Sequence, residues 1–231
     1  MASSAHVPVP FDRVYVWERP VRLYHWVTVL CLLILIPTGF LIGRPVAWLT
    51  TDDASAAYWL GWVRVLHFAA AWVFLYVFLI RVYWAFVGNR FARWPNFVPV
   101  TPARLGRHAR GVLTVLKTDI FQIQQRPVDF LGHNPLAAWS YLATFVVTVF
   151  QIVTGFGLYA AMTASPIAHA FAWIVPLMGG DMAVRQWHHL ATWFFVVFSI
   201  VHIYLSVFHD FVEGHGEISS MVSGSRFVQR H

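Results

Sequence analysis

The chain has 231 residues, of which 58% are hydrophobic and only 11% are charged. A soluble domain usually carries about 25% charged residues, so this composition indicates an integral membrane protein. The single cysteine, Cys31, excludes an internal disulfide and an iron–sulfur cluster built from this chain alone. The net charge of +6 does not indicate nucleic-acid binding, because the basic residues follow membrane topology, as described below.

Four apolar runs are long enough to cross a bilayer as helices, which takes about 20 residues each. In lipid the backbone must satisfy its own hydrogen bonds, and runs of this length do so as helices. In chain order, the predicted spans cover approximately residues 23–42, 62–87, 135–159 and 185–208. The predicted fold is therefore all-α: an integral membrane four-helix bundle, with residues 1–231 forming a single transmembrane domain.

The long connection between the second and third spans is predicted to contain an amphipathic helix on the cytoplasmic side. Thr101 and Pro102 are typical of a helix start, because proline is favoured in the first turn. Apolar residues then recur among basic residues over approximately 102–125. We expect this segment to lie along the cytoplasmic leaflet with its apolar face in the lipid, and a solvated connector is the alternative.

The distribution of Lys and Arg predicts the orientation of the spans. Thirteen of the 16 basic residues belong to the N-terminal segment, the long connection and the C-terminal tail, when Arg81 near the end of the second span is counted with the connection. The other two connections hold only Arg44, Arg64 and Arg185. Because basic residues are retained on the cytoplasmic side, both termini are predicted to be cytoplasmic.

Four histidines lie inside or at the edge of the predicted spans: His25, His67, His188 and His202. Ionisable side chains are costly at this depth and are usually functional. His188 and His202 fall within about 40° of one helix face and roughly 21 Å apart along its axis. By depth, His67 pairs with His188 and His25 with His202, while His189 remains an alternative to His188. Two imidazoles at each of two levels are typical of two stacked b-type haems.

Other polar residues near these levels are candidates for supporting roles. Arg22, Arg64 and Arg185 each precede one of the histidines by three residues, one helical turn towards water. Their guanidinium groups are candidates for binding haem propionates, and an ordinary interfacial role is the alternative. His133 and Asn134 precede the third span and are candidates for a quinone site with proton uptake, and helix capping is the alternative.

Several short motifs, in this order, resemble one known family. The motifs are RPVRLYHW (19–26), RVLHF (64–68), RVYWAFVGNR (81–90), GHNP (132–135), WHHL (187–190) and HIY (202–204). Together they resemble the cytochrome b subunit of respiratory membrane-bound nickel–iron hydrogenases over nearly the full chain. The broader relatives are the cytochrome b subunits of formate dehydrogenase and thiosulfate reductase.

The resemblance implies a function that spacing alone does not show. In that family a periplasmic hydrogenase oxidises H2, and electrons pass through the iron–sulfur clusters of its small subunit to an outer haem, an inner haem and quinone. The resemblance implies that His25, His67, His188 and His202 are the ligands of two haems b. The implied partners are the large and small hydrogenase subunits, the transmembrane anchor helix of the small subunit, quinone and the lipid of a bacterial inner membrane. The hydrogenase chemistry itself would lie on the partner subunits.

Three alternative functions share part of the pattern. A cytochrome b subunit of another quinone-linked dehydrogenase, such as formate dehydrogenase, would have the same organisation. A haem protein that moves electrons from ascorbate or to ferric iron is distinguished by its partners. A non-haem transporter with a histidine proton relay would need acidic residues in the middle of the spans, where the sequence has none.

Overall fold

The computed structural model describes residues 11–46, 58–96, 135–213 and 216–229. A short 3-10 turn covers Trp94–Asn96. In chain order the other elements are strand β1 (Phe11–Tyr15), the helices α1 (Arg19–Gly43), α2 (Trp59–Val87), α3 (Pro135–Ala160), α4 (Pro166–His169), α5 (Ile174–Leu177), α6 (Asp181–Glu213) and α7 (Glu217–Ser223), and strand β2 (Ser225–Gln229).

The four predicted spans are confirmed as the long helices α1, α2, α3 and α6, each apolar enough to cross a membrane. Three of them begin three or four residues before their predicted starts: α1 at Arg19, α2 at Trp59 and α6 at Asp181. Helix α6 begins at Asp181, whose carboxylate suits the positive end of the helix dipole. The amphipathic segment at 102–125 and the residues His133 and Asn134 lie outside the described residues.

One unit of the fold comprises residues 24–83 and 139–202, which include most of all four long helices. Its core lies between α1, α2 and α3, where Cys31, Phe74, Phe78, Ile152 and Phe156 are buried together. Cys31 therefore packs as a small apolar side chain.

The outward faces of the long helices are also apolar. Leu33, Trp62, Leu190 and Ile200 are all more than half exposed on these helices. Lipid solvates such side chains as well as a protein core does, so the bundle does not need to bury them. The exposed surface therefore agrees with a bundle that lies in a bilayer.

The other unit draws its described residues from 1–23, 84–138 and 203–231. Strands β1 and β2 pair antiparallel in it, with Phe11 opposite Gln229 and Tyr15 opposite Ser225. The all-α prediction did not include this sheet, because five-residue strands leave too short an alternating pattern in the sequence. The paired strands place the two ends of the described chain side by side.

Gly224 turns the chain from α7 into β2. Its φ of 86° is left-handed, and a Cβ there would collide with the ring of Tyr15 and the carbonyl of Trp17. The carbonyl of Gly224 accepts hydrogen bonds from the backbone N–H groups of Val16 and Trp17, at 2.8 and 3.0 Å. Trp17 also donates from Nε1 to the hydroxyl of Ser220 at 3.1 Å. The N-terminal segment is thus held against the C-terminal tail.

Asn89, just beyond α2, joins the same unit through both its backbone and its side chain. The Glu18 carboxylate accepts hydrogen bonds from the backbone N–H of Asn89 and from Trp84 Nε1, both at 2.8 Å. The Asn89 amide donates to the carbonyl of Val16 at 2.9 Å and accepts from the N–H of Ala92 at 3.0 Å. The start of α1 and the end of α2 are therefore fixed together.

Asn89→Ala should lower the stability of this unit, because it removes the amide that bonds to the Val16 carbonyl and to the N–H groups of Phe91 and Ala92. The expected cost is about 1–3 kcal/mol, measured as a lower thermal unfolding midpoint in mild detergent. Gln186→Ala is the control, since Gln186 is an exposed amide on α6. Equal midpoints for Asn89→Ala and the unchanged protein would show that this network does not stabilise the fold.

Candidate functional site

His25 in α1 and His202 in α6 form the first histidine pair. Their ring centres are 6.3 Å apart, with an angle of 63° between the ring planes. Two imidazoles on opposite sides of one metal ion, with bonds of about 2.0–2.1 Å, have ring centres roughly 6 Å apart. Nδ1 of His25 is buried and has no hydrogen-bond partner in the described part of the chain. The two rings are therefore close enough to hold one metal ion together.

Aromatic neighbours fix the orientation of this pair. The ring of His202 stacks on Phe198 with centres 5.5 Å apart and planes at 5°. Phe198 in turn stacks on Phe194, one helical turn further back along α6, at 6.0 Å and 9°. The His25 ring meets Trp26 edge to face at 5.0 Å. These contacts leave few orientations open to either imidazole.

His67 in α2 and His188 in α6 form the second pair, and each contacts a buried threonine on another helix. His67 Nδ1 lies 2.9 Å from Thr38 Oγ1 in α1. His188 Nδ1 lies 2.8 Å from Thr154 Oγ1 in α3. His188 is also close enough to His67 for the charges of the two rings to interact. The structure thus brings both members of the predicted pair into one part of the bundle.

His189, which the spacing left as an alternative to His188, has different surroundings. Its ring meets Phe40 of α1 edge to face at 4.8 Å. A Cβ at Gly43 would lie 3.4 Å from its Nδ1. His189 therefore packs against the C-terminal end of α1, whereas His188 faces Thr154 of α3.

The three arginines predicted to bind propionates are placed differently from one another. The Arg22 guanidinium donates a hydrogen bond to the carbonyl of Val222. Arg185 Nε donates to Asp181 at 2.6 Å, one turn back on α6, and both side chains are about half exposed. Arg64 is exposed on α2. Arg22 and Arg185 thus already have partners within the chain, and the propionate role stays a prediction for all three.

Arg81 is a buried cation that the sequence analysis counted only towards membrane topology. Its side chain is 3% exposed, and its Cζ lies 5.0 Å from the ring centre of Tyr141 in α3. A guanidinium enclosed between membrane helices is usually functional. The signal was present in the sequence, since Arg81 lies six residues before the end of α2 and not in the connection after it.

The sequence analysis also missed the two threonines. Their signal is the tripeptide Thr-Gly-Phe, which occurs at residues 38–40 and again at 154–156. In both copies the glycine faces the same histidine as the threonine. A Cβ at Gly39 would lie 3.4 Å from His67 Cε1, and one at Gly155 would lie 3.1 Å from His188 Cε1. Three residues are too short to indicate a repeat before the contacts are known.

Gly155→Ala should disturb its site more than Gly39→Ala, because the new methyl group at 155 would lie only 3.1 Å from the ring of His188. At Gly39 the distance is an ordinary van der Waals contact. The measurements are the thermal unfolding midpoint and the haem content of each purified variant. Equal values for the two variants would contradict the tighter packing at His188.

Comparison with known proteins places the chain among membrane cytochromes. Residues 16–224 match the family model described as prokaryotic cytochrome b561. Proteins of Azotobacter vinelandii and Cupriavidus necator, both named probable Ni/Fe-hydrogenase B-type cytochrome subunit, are 43% and 40% identical to it. The alignments cover 94% and 92% of this chain, and 89% and 86% of those relatives. An Escherichia coli protein named probable Ni/Fe-hydrogenase 1 B-type cytochrome subunit is 37% identical over 92% of this chain and 90% of its own length.

Proposed function

The chain belongs to the prokaryotic cytochrome b561 family, and we propose that it is a dihaem b-type cytochrome that passes electrons from a periplasmic nickel–iron hydrogenase to membrane quinone. The names of its relatives support the hydrogenase partner over formate dehydrogenase. The observation that carries the proposal is the contact of His25 in α1 with His202 in α6, together with His67 and His188, which are each held by a threonine of a neighbouring helix.

His25 and His202 are the proposed ligands of the inner haem, and His67 and His188 those of the outer haem. A b-type haem supplies a one-electron carrier whose potential depends on its ligands and their hydrogen bonds. The chain's part is to supply four imidazoles, to hold their rings in place and to keep the surroundings apolar. Two imidazoles at each level would hold each haem from the protein, which favours electron transfer over oxygen binding.

The orientation of the chain supports an outer partner and an inner acceptor. Strands β1 and β2 pair directly, so both ends of the described chain lie on one side of a membrane. Most basic residues belong to that side, which we assign to the cytoplasm of a cell with a bacterial inner membrane. The hydrogenase small subunit then docks on the opposite face, near residues 44–63 and 161–185, with its anchor helix against the exposed apolar bundle.

The remaining site residues have roles near the two membrane faces. Arg22 is the proposed propionate partner on the inner side, and Arg64 and Arg185 are the proposed partners on the outer side. Quinone is proposed to react near the inner haem, where His133 and Asn134 would donate hydrogen bonds or relay protons from the cytoplasm.

Purification in mild detergent tests this function directly. We expect two haems b per chain, co-purification of the large and small hydrogenase subunits, and quinone reduction with H2 by the isolated complex. A preparation without haem, or one whose only partner is a different dehydrogenase, would contradict the proposal.

Single variants in the same preparation test the ligand assignment. His25→Ala or His202→Ala should remove one haem, and His67→Ala or His188→Ala should remove the other. His189→Ala is the matched control and should retain both, because it lies beside His188 and packs against Phe40. Retention of two haems in all four ligand variants would refute the assignment.

Reporter fusions test the orientation. Fusions after Asp53 or Ala168 are expected to report the periplasm, and fusions after Arg107 or His231 the cytoplasm. The expectation follows from the distribution of basic residues and from the pairing of the two terminal strands. A periplasmic C-terminus would exchange the inner and outer haem assignments.

A further inference from the structure

The hydroxyl groups of Thr38 and Thr154 are already committed to intrahelical hydrogen bonds. Thr38 Oγ1 lies 2.6 Å from the carbonyl oxygen of Ile34, and Thr154 Oγ1 lies 2.7 Å from that of Phe150. A carbonyl oxygen only accepts, so each threonine donates its one hydroxyl proton to its own helix. Both threonines are buried, with 7% and 0% of their surface exposed.

Because each threonine has already donated its hydroxyl proton, the nitrogen of each histidine that carries a proton can be assigned. Thr38 Oγ1 has no second proton to give, so in its contact with His67 Nδ1 the histidine must donate. The same reasoning assigns a proton to His188 Nδ1 against Thr154 Oγ1. In a neutral imidazole the other nitrogen, Nε2, then keeps its lone pair, which is the form that binds a metal.

From this geometry we propose that Thr38 and Thr154 are positioning residues that hold His67 and His188 as Nδ1–H tautomers, with Nε2 directed to the outer haem iron. The inference rests on the proposed function, because it concerns the same two ligands. Hydrogen-bond acceptors on the second nitrogen of a ligating histidine fix its tautomer and orientation and raise its basicity. Gly39 and Gly155 complete each contact by leaving room for the ring.

Both threonines contact histidines that are assigned to the outer haem. A hydrogen-bonded imidazole donates more electron density to iron and favours the ferric state, which lowers the reduction potential. The threonines therefore lower the potential of the outer haem specifically.

Thr38→Val and Thr154→Val remove the accepting oxygen with little change in volume. In the purified hydrogenase complex, each should shift the midpoint potential of the outer haem to a more positive value and change its low-spin EPR signal. The inner haem should keep its wild-type potential and signal. Thr38→Ser and Thr154→Ser keep the hydroxyl and should restore wild-type values. Where valine prevents assembly, alanine at the same position removes the hydroxyl with less bulk and is measured in the same way.

Thr144→Val is the matched control. Thr144 donates the same kind of intrahelical bond, to the carbonyl of Ser140 at 2.7 Å on α3, so its replacement measures the loss of that bond alone. It should leave both potentials unchanged.

The outcomes separate this inference from the function it rests on. Two haems per chain, with unchanged potentials and EPR signals in the variants at 38 and 154, would overturn the role of the threonines and leave the proposed function standing. Equal shifts in Thr144→Val and Thr154→Val would also overturn it. A wild-type complex without haem would refute the proposed function, and the inference with it.

Discussion

The structure depends on the requirement that polar groups inside an apolar bundle find their partners within the protein. Lipid offers no hydrogen bonds, so an imidazole or hydroxyl at membrane depth must meet another polar group or a ligand. Thr38 and Thr154 meet this requirement twice over, since each donates to its own helix and accepts from a histidine on another. Gln151 and Thr192 form a further link between α3 and α6, at 2.9 Å. These few polar contacts fix the relative rotation of helices that packing alone would leave less defined.

Helix α6 connects the two histidine levels. His188 and His202 are fourteen residues apart on one helix, so the rise of the helix sets their separation and no loop can change it. The partners of these histidines come from α2 and α1, which lie in the same packed unit. Side chains placed on helices in this way are held more precisely than side chains placed on loops. Changes in the connections between helices should therefore affect partner binding before they affect the distance between the two levels.

Much of the fold could be predicted from the sequence, because a helix that crosses a bilayer needs about 20 predominantly apolar residues. The four long helices are confirmed, and their observed ends lie within five residues of the predicted ones. The strands were missed because their pairing joins residues more than 200 positions apart, and no local pattern specifies such a contact. Asn89 was visible within a motif, but its hydrogen bonds with Glu18 and Val16 depend on how the two helix ends meet.

The sequence could not distinguish His188 from His189 as the member of the second histidine pair. Adjacent residues point about 100° apart on a helix, and hydropathy does not determine which direction faces the bundle. The contact with Thr154 distinguishes them, and that contact needs the rotation of α6 against α3. The threonines could not be identified from the sequence for the same reason. Threonine is common in membrane helices, and only the contact with a histidine on another helix distinguishes Thr38 and Thr154. Patterns of burial could therefore predict the depth of each histidine, whereas the tautomers proposed for His67 and His188 depend on hydroxyl protons that are already donated elsewhere.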